Sequence, residues 1–178
     1  NNSSDRSIVM AKDAVSRLGN RPPVRFVLMS KNVGFAKACN QGIARWKRGK
    51  KEGHVLLLNP DTVVMDGSLT KLIQALEYDQ RIGIVGPRLL NEDGSIQKSV
   101  RSFPNLMVLI SFVLKITKLV SGLKFWRQYM MTDFDYTKKQ KVDQVMGACF
   151  LIRNKVIDSL GHLNEKYWVW FEEVDYCK

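Results

Sequence analysis

The sequence predicts an α/β domain with a largely parallel sheet flanked by helices. Three observations carry that expectation. Segments with helical apolar spacing alternate with short apolar runs. One run, His54–Leu58, is nearly continuous, as in a strand covered on both faces. The chain has 178 residues at 45% hydrophobic and 25% charged, the size and composition of one globular domain. Such a composition excludes a disordered tail or a collagen-like fibre. The three cysteines (Cys39, Cys149, Cys177) and two histidines (His54, His162) lack metal-ligand spacing, so neither a structural zinc site nor a disulfide framework is expected. Free thiols without a signal-peptide pattern fit a reducing, cytoplasmic setting.

The elements follow in chain order. Asn1–Asp5 is a polar turn. Ile8, Ala11, Ala14, Val15 and Leu18 recur with the period of an amphipathic helix, which Gly19-Asn20 and Pro22-Pro23 stop. Val24–Met29 reads as a strand, Asn32–Gly34 as a loop, and Phe35–Trp46 as a helix with Phe35, Ala38, Cys39, Ile43 and Trp46 as its apolar spacing. After a basic loop comes the strand His54–Leu58, ending in Asn59-Pro60-Asp61. Asp66 is placed to cap a helix over Gly67–Tyr78, with Leu69, Leu72, Ile73 and Leu76 inward. Ile82–Val85 is a strand, Asn91–Gly94 a hairpin turn, Gln144–Ile152 a strand and Asn154–Leu160 a helix stopped by Gly161. Within Leu106–Trp126 the longest charge-free stretch, Phe103–Leu114, is too short to span a membrane. It reads either as an amphipathic helix at a membrane interface or as a helix on the domain's own core.

The net charge of +11 asks for a partner. Arg45, Lys47, Arg48, Lys50 and Lys51 form one acid-free cluster, and seven more cations lie between Lys115 and Lys141 against Asp133 and Asp135. Clusters of this kind suit a nucleic acid, an anionic membrane or a phosphate-bearing substrate. No nucleic-acid module accompanies the charge, so no nucleic-acid partner is expected.

Four groups of residues could carry chemistry. Asn59-Pro60-Asp61 ends a buried strand, where open α/β sheets bind ligands. One carboxylate there can hold Mg²⁺ or Mn²⁺ beside substrate phosphates, although the tripeptide is also an ordinary turn. Glu172, Glu173 and Asp175 follow the aromatic run Trp168–Phe171. Crowded carboxylates raise one another's pKa toward the range of a general base, and the rings offer stacking faces; a solvated helix start has the same composition. Gly34 precedes a helix flanked by the amides of Asn32 and Asn40, which can present donors to a phosphate or ribose, or form a plain strand-to-helix connection. Gly147-Ala148 inside a strand marks close approach by a ligand or by another backbone.

Taken in order, Asn-Asn-Ser-Ser-Asp, Asn-Val-Gly-Phe-Ala…Asn-Gln-Gly, Leu-Leu-Asn-Pro-Asp-Thr, Gly-Pro-Arg-Leu…Asp-Gly-Ser-Ile-Gln, Arg-Ser-Phe-Pro, Val-Met-Gly-Ala-Cys-Phe-Leu-Ile-Arg and Phe-Glu-Glu-Val-Asp-Tyr-Cys resemble the glycosyltransferases of family 2. The likeness is greatest to rhamnosyltransferase-like members and is interrupted only over 104–141. It implies a GT-A fold, Rossmann-type with a mostly parallel sheet, and inverting transfer from a nucleotide-diphosphate sugar, with dTDP-rhamnose a candidate. A saccharide or lipid-linked acceptor of surface-polysaccharide synthesis is implied with it. Asn59-Pro60-Asp61 matches the family's metal motif, so Asp61 inherits the Mg²⁺ or Mn²⁺ and Asn59 only hydrogen bonding. Asn32, Gly34 and Asn40 fall along the nucleotide; Gly147, Ala148, Trp168 and Arg101 fall at the substrate. Glu173 matches the catalytic base, with Glu172 and Asp175 as alternates.

The resemblance divides the single domain into a nucleotide- and metal-binding part (1–103), a basic amphipathic insert (104–141) and an acceptor and base part (142–178). It also implies a fragment, incomplete at both ends of the family's sheet, with its activity alone left open. The enzyme is expected in the cytoplasm, peripherally on an anionic inner membrane face. A relative that binds sugar nucleotides or membrane without turnover is the alternative, left open by Asn59 and Glu173.

Overall fold

A computed structural model of the chain describes residues 5–19, 23–49 and 53–178. The turn read at Asn1–Ser4, the break at Asn20–Pro22 and Lys50 and Lys51 of the basic loop lie outside them. The elements run α1 (Ser7–Arg17), α2 (Phe35–Arg48), β1 (Val55–Leu58), α3 (Ser68–Glu77), β2 (Ile84–Val85), α4 (Leu106–Val113), α5 (Lys124–Met130), β3 (Cys149–Ile152), α6 (Asn154–Leu160) and α7 (Glu172–Cys177). The fold is α/β, but its sheet is small and antiparallel rather than a parallel Rossmann-type sheet. The order is β1-β3-β2, with β3 antiparallel to both neighbours. The two outer strands therefore run in the same direction, as a strand–helix–strand crossover requires. Alternation along the chain correctly relates β1 to β2; it says nothing of a later strand that inserts between them in the opposite direction.

All four residues of β3 are buried, and their alternation builds two cores. Phe150 and Ile152 face one side, packed with Ala36 and Ile43 of α2, Ile157 of α6, Leu163 and Tyr176 of α7. Cys149 and Leu151 face the other, with Leu72 and Leu76 of α3. Period-two side-chain alternation on one strand thus supplies both faces of a helix–sheet–helix sandwich. Arg153, 4% exposed, follows β3 and ties it to the end of α3. Its guanidinium donates to the carbonyls of Leu76, Ile82 and Asp79 and to Gln80, giving orphaned carbonyls near a helix C-terminus a cationic partner.

Several expectations need correction. Val24–Met29 has no ladder partner among the described residues, and Val24, Phe26 and Leu28 are exposed; an extended segment becomes a strand only through a hydrogen-bonded neighbour. No residue of α1 is buried. Among the described residues β1 is an edge strand, half-buried over Val55–Leu57 and exposed at Leu58; Val55 and Leu57 pack on one core and Leu56 on the other, so both faces are covered as expected, but only in part. The ladder of β3 is confined to Cys149–Ile152, with Gln144 bridging only to Arg101. Helix α3 starts from Gly67 in the left-handed region (φ 72°) without a side-chain cap, because glycine takes that turn without a Cβ penalty; Asp66 does not cap it. Leu72 and Leu76 point inward as expected, whereas Leu69 and Ile73 are exposed. The buried ridge of α2 is Ala36, Asn40 and Ile43.

Leu106–Trp126 is not one helix. Asn105 caps α4 by accepting from Val108 N–H at 3.0 Å, the helix ends at Leu114, and Lys115 turns through φ 56°. Helix α5 then folds back so that Val108, Val120, Trp126 and Tyr129 form a separate small core. The 101–103 stretch anchors this unit: Ser102 N–H donates to Tyr129 O (3.0 Å), Phe103 N–H to Asp143 Oδ2 (2.9 Å), and Gln144 Nε2 to Ser102 O (2.7 Å).

Asn40 joins α2 to the chain that leads into the acidic segment. Its amide nitrogen donates to Leu163 O (2.9 Å) and Glu165 Oε1 (3.0 Å), and its oxygen accepts from Leu163 N–H (3.0 Å). Substituting Asn40→Ala strands both backbone groups of Leu163 and is expected to cost about 1–3 kcal/mol. Urea denaturation would register this as a lower midpoint at unchanged slope.

Candidate functional site

The site is assembled at the start of β3. The β1–β3 ladder pairs Val55 with Ile152 and ends at Leu58 opposite Cys149. One step beyond, Asn59 N–H donates to Ala148 O at 2.9 Å, and Thr62 N–H closes the turn on Asn59 O at 3.2 Å. Thr62 Oγ1 also donates to Ala148 O, at 3.4 Å. The Asn59-Pro60-Asp61 turn is thereby fastened to Ala148, and the Asp61 carboxylate is exposed. On the adjoining residue, a Cβ built on Gly147 would lie 3.9 Å from Glu173 Cδ. Gly147-Ala148 therefore has the Asn59–Asp61 turn on one residue and the acidic helix against the other.

Glu172 and Glu173 open α7. Among the described residues, Oε2 of each is buried without a hydrogen-bond partner. Burial pushes both carboxyls above the ordinary range, and for Glu173 the neighbouring Glu172 charge adds to it. A buried, underbonded carboxyl with a raised pKa is what a proton acceptor near neutrality needs. Asp175 is different: it is exposed, and its Oδ2 accepts from Asn164 Nδ2 at 3.3 Å.

The aromatic segment is held by the 32–35 loop. Asn32 Oδ1 accepts from Gly34 N–H at 3.0 Å, and Phe35 N–H donates to Trp168 O at 3.1 Å. Gly34 has φ 84°, and a Cβ there would sit 2.8 Å from Trp168 O, so both conformation and contact require glycine. Trp170 and Phe171 lie in the left-handed region at φ 68° and 69°. Backbone strain of order 1 kcal/mol or more per residue concentrates where the chain enters the carboxylates. The Phe171 ring packs edge-on against Phe112 of α4 at 6.0 Å, so the insert touches the acidic segment.

The sequence-derived candidates thus fall into groups. Asn59 meets Ala148, Gly147 meets Glu173, and Gly34 with Asn32 meets Trp168. Arg101 is half-buried, bridges Gln144, and donates through Nη1 to the carbonyls of Lys98 (2.8 Å) and Val100 (2.6 Å). Asn40 stands apart, its amide bonded to Leu163 and Glu165. Tyr129 was not among the candidates. Its phenol is pushed up by burial, with Arg101 opposing and Glu173 adding to the shift, so it shares an electrostatic neighbourhood with both. Its position in the insert, far from Glu173 in sequence, left no local motif to read. The thiols of Cys39 and Cys177, close enough to feel Glu172 and Glu173 respectively, are raised by burial to about 11, which leaves them protonated and inert as nucleophiles.

Among the described residues, no group of three His, Cys, Asp or Glu side chains is placed to hold a metal ion. One exposed carboxylate beside an amide suits only a cation that brings most of its ligands on a substrate phosphate and water, as Mg²⁺ and Mn²⁺ do. The donor set fits that case and no all-protein cage.

The family model described as Glycosyl transferase family 2 matches residues 1–161. The chain is 28% identical over 168 residues to an N-acetylglucosaminyl-diphospho-decaprenol L-rhamnosyltransferase of Mycobacterium tuberculosis, covering 86% of this chain and 52% of that protein. It is 23% identical over 155 residues to the low-salt glycan biosynthesis hexosyltransferase Agl10 of Haloferax volcanii, covering 86% of this chain and 45% of that protein. The O-antigen biosynthesis protein RfbC of Myxococcus xanthus is 28% identical over 138 residues, 75% of this chain and 10% of that protein. The chain spans about half the length of the first two relatives. No solved structure matches it significantly.

A raised carboxyl pKa makes the folded state bind protons that the unfolded chain has released. Stability then falls as pH rises from about 4.5, the ordinary glutamate value, through the folded pKa of Glu173. Glu173→Gln removes that slope: melting temperatures measured across this window should decline less steeply with pH than those of the parent protein.

Proposed function

The chain belongs to glycosyl transferase family 2, and from that premise we propose that it carries the transfer site of an inverting glycosyltransferase. The donor in this reading is a nucleotide-diphosphate sugar, with dTDP-rhamnose the candidate that the family resemblance implies; the mycobacterial relative is named an L-rhamnosyltransferase. The acceptor is a saccharide or a lipid-linked saccharide of surface-polysaccharide synthesis, reached on the cytoplasmic side of a membrane. Residues 1–103 serve nucleotide and cation, 142–178 serve acceptor and base, and 104–141 form an insert. One observation carries the reading: Gly147-Ala148 has the Asn59–Asp61 turn bonded to one residue and Glu173 packed on the other.

In this mechanism Glu173 is the base, with Glu172 and Asp175 the alternates. Its burial and its position beside a side-chain-free residue favour it over the exposed Asp175. The Glu173 carboxylate takes the proton of the acceptor hydroxyl while that oxygen bonds to the anomeric carbon. The bond from the anomeric carbon to the diphosphate breaks, its electron pair leaving with the diphosphate, and the configuration inverts. Asp61 would hold Mg²⁺ or Mn²⁺ on that diphosphate, where the ion compensates the developing charge. Asn32 and Gly34 orient the loop beside the nucleotide, while Trp168 and Arg101 border the sugar and acceptor. Asn40 supports the site from behind through Leu163.

The test uses the complete protein. A thermal-shift panel of UDP, dTDP and GDP, each with Mn²⁺ or EDTA, should show a metal-dependent rise for one nucleotide, abolished by Asp61→Asn. Glu173→Gln should keep that rise while transfer falls about 10²–10⁴-fold, the usual worth of a general base. Nucleotide binding without transfer by the parent protein would favour the non-catalytic relative instead. No shift with any nucleotide would remove Asp61 from the diphosphate.

A further inference from the structure

Helix α4 presents an apolar surface that the fold leaves uncovered. Of its eight residues only Val108 and Ser111 are buried. Leu106, Met107, Ile110 and Val113 are exposed, Val113 at 79%, and Leu119 in the following turn is 82% exposed. Residues 104–132 contain four cations, Lys115, Lys118, Lys124 and Arg127, and no acidic residue. A cleft of about 710 Å³ between α5 and the 131–140 loop is charge-balanced, with Lys124 and Arg127 against Asp133 and Asp135, so the uncompensated cations lie beside α4. The two aspartates at the cleft are already engaged, Asp133 with Arg127 at 3.5 Å and Asp135 with Lys138 at 3.2 Å.

We propose that the α4–α5 unit docks on an anionic lipid bilayer, with the exposed apolar side chains of α4 entering the interface and the exposed Lys115, Lys118 and Lys124 meeting the headgroup phosphates. The charge selects this occupant. Exposed apolar side chains rimmed by lysines without acids match a negatively charged interface, whereas a second copy would set four cations against four. No described helix is long and apolar enough to cross a membrane, so the unit lies on the bilayer. The Phe112–Phe171 contact places that surface against the segment carrying Glu172 and Glu173. An acceptor reaching the base would therefore be lipid-anchored, a consequence that rests on the glycosyltransferase reading; the docking itself does not.

Flotation of the complete protein with phosphatidylcholine vesicles, and with vesicles that also contain phosphatidylglycerol, tests this. The protein should float only with the anionic vesicles and be released by salt. Each lysine reversed among Lys115, Lys118 and Lys124 should weaken partitioning at least about fivefold. The double variant Ile110→Glu with Val113→Glu should abolish flotation. It should keep the parent's melting temperature and metal-dependent nucleotide shift, since both residues are exposed. Failure to float, equal flotation on neutral vesicles, or a double variant that still floats would overturn the proposal. A parent that stays off vesicles while the double variant converts it from dimer to monomer would assign the face to a second copy. If docking holds, transfer to a vesicle-embedded acceptor should fall in the double variant while transfer to the same acceptor in detergent is kept. Absence of any transfer by the parent would count against the enzyme reading and leave the docking result standing.

Discussion

The antiparallel register of β1 on β3 is the constraint on which the rest of the site depends. With Leu58 opposite Cys149, the next amide of β1 falls on Ala148 O, and the turn carrying Asp61 is delivered to the start of the buried strand. A slip of one residue would exchange Phe150 and Ile152 with Cys149 and Leu151 between the two cores. It would also move the turn off Ala148. The packing that makes β3 fully buried therefore fixes where the polar turn stands, so stability and site geometry are specified by the same four residues.

A second set of contacts brings the acidic helix to that point. Asn40 grips the backbone of Leu163, the Trp168 carbonyl receives the Phe35 amide beside Gly34, and Trp170 and Phe171 turn through the left-handed region before Glu172. These are local costs, and they end with two carboxyls whose Oε2 atoms are buried without a hydrogen-bond partner among the described residues. Such groups destabilise a fold unless surrounding packing holds them in place. Here the helices on one face of β3, together with the α4–α5 unit behind Phe171, supply that packing.

Much of the architecture was legible in the chain. The β1 run, the crossover through α3, the Gly94 turn and the helix from Asn154 to Gly161 are set by local periodicity and by residues that start or stop elements. The direction of β3 was not, because pairing between positions roughly a hundred residues apart leaves no local trace. Asn40 illustrates a different limit: a buried amide reads the same whether it will bond a ligand or a backbone, and only Leu163 at hydrogen-bond distance distinguishes them. Leu69 and Ile73 share the period of Leu72 and Leu76 but are exposed. Tyr129 carried no motif, and its neighbourhood with Glu173 exists only once α5 has folded back on α4.

In the proposed site Asp61 and Glu173 flank Gly147-Ala148 and act on one donor. Crystals of the complete protein grown with Mn²⁺ and the nucleotide diphosphate that stabilises it would test this most directly, through the anomalous signal of manganese. A single peak bound by Asp61 and the diphosphate is expected, with the sugar-side end of the nucleotide directed toward Gly147 and Glu173. A manganese ion bound away from Asp61, or a diphosphate that points away from Glu173, would contradict it.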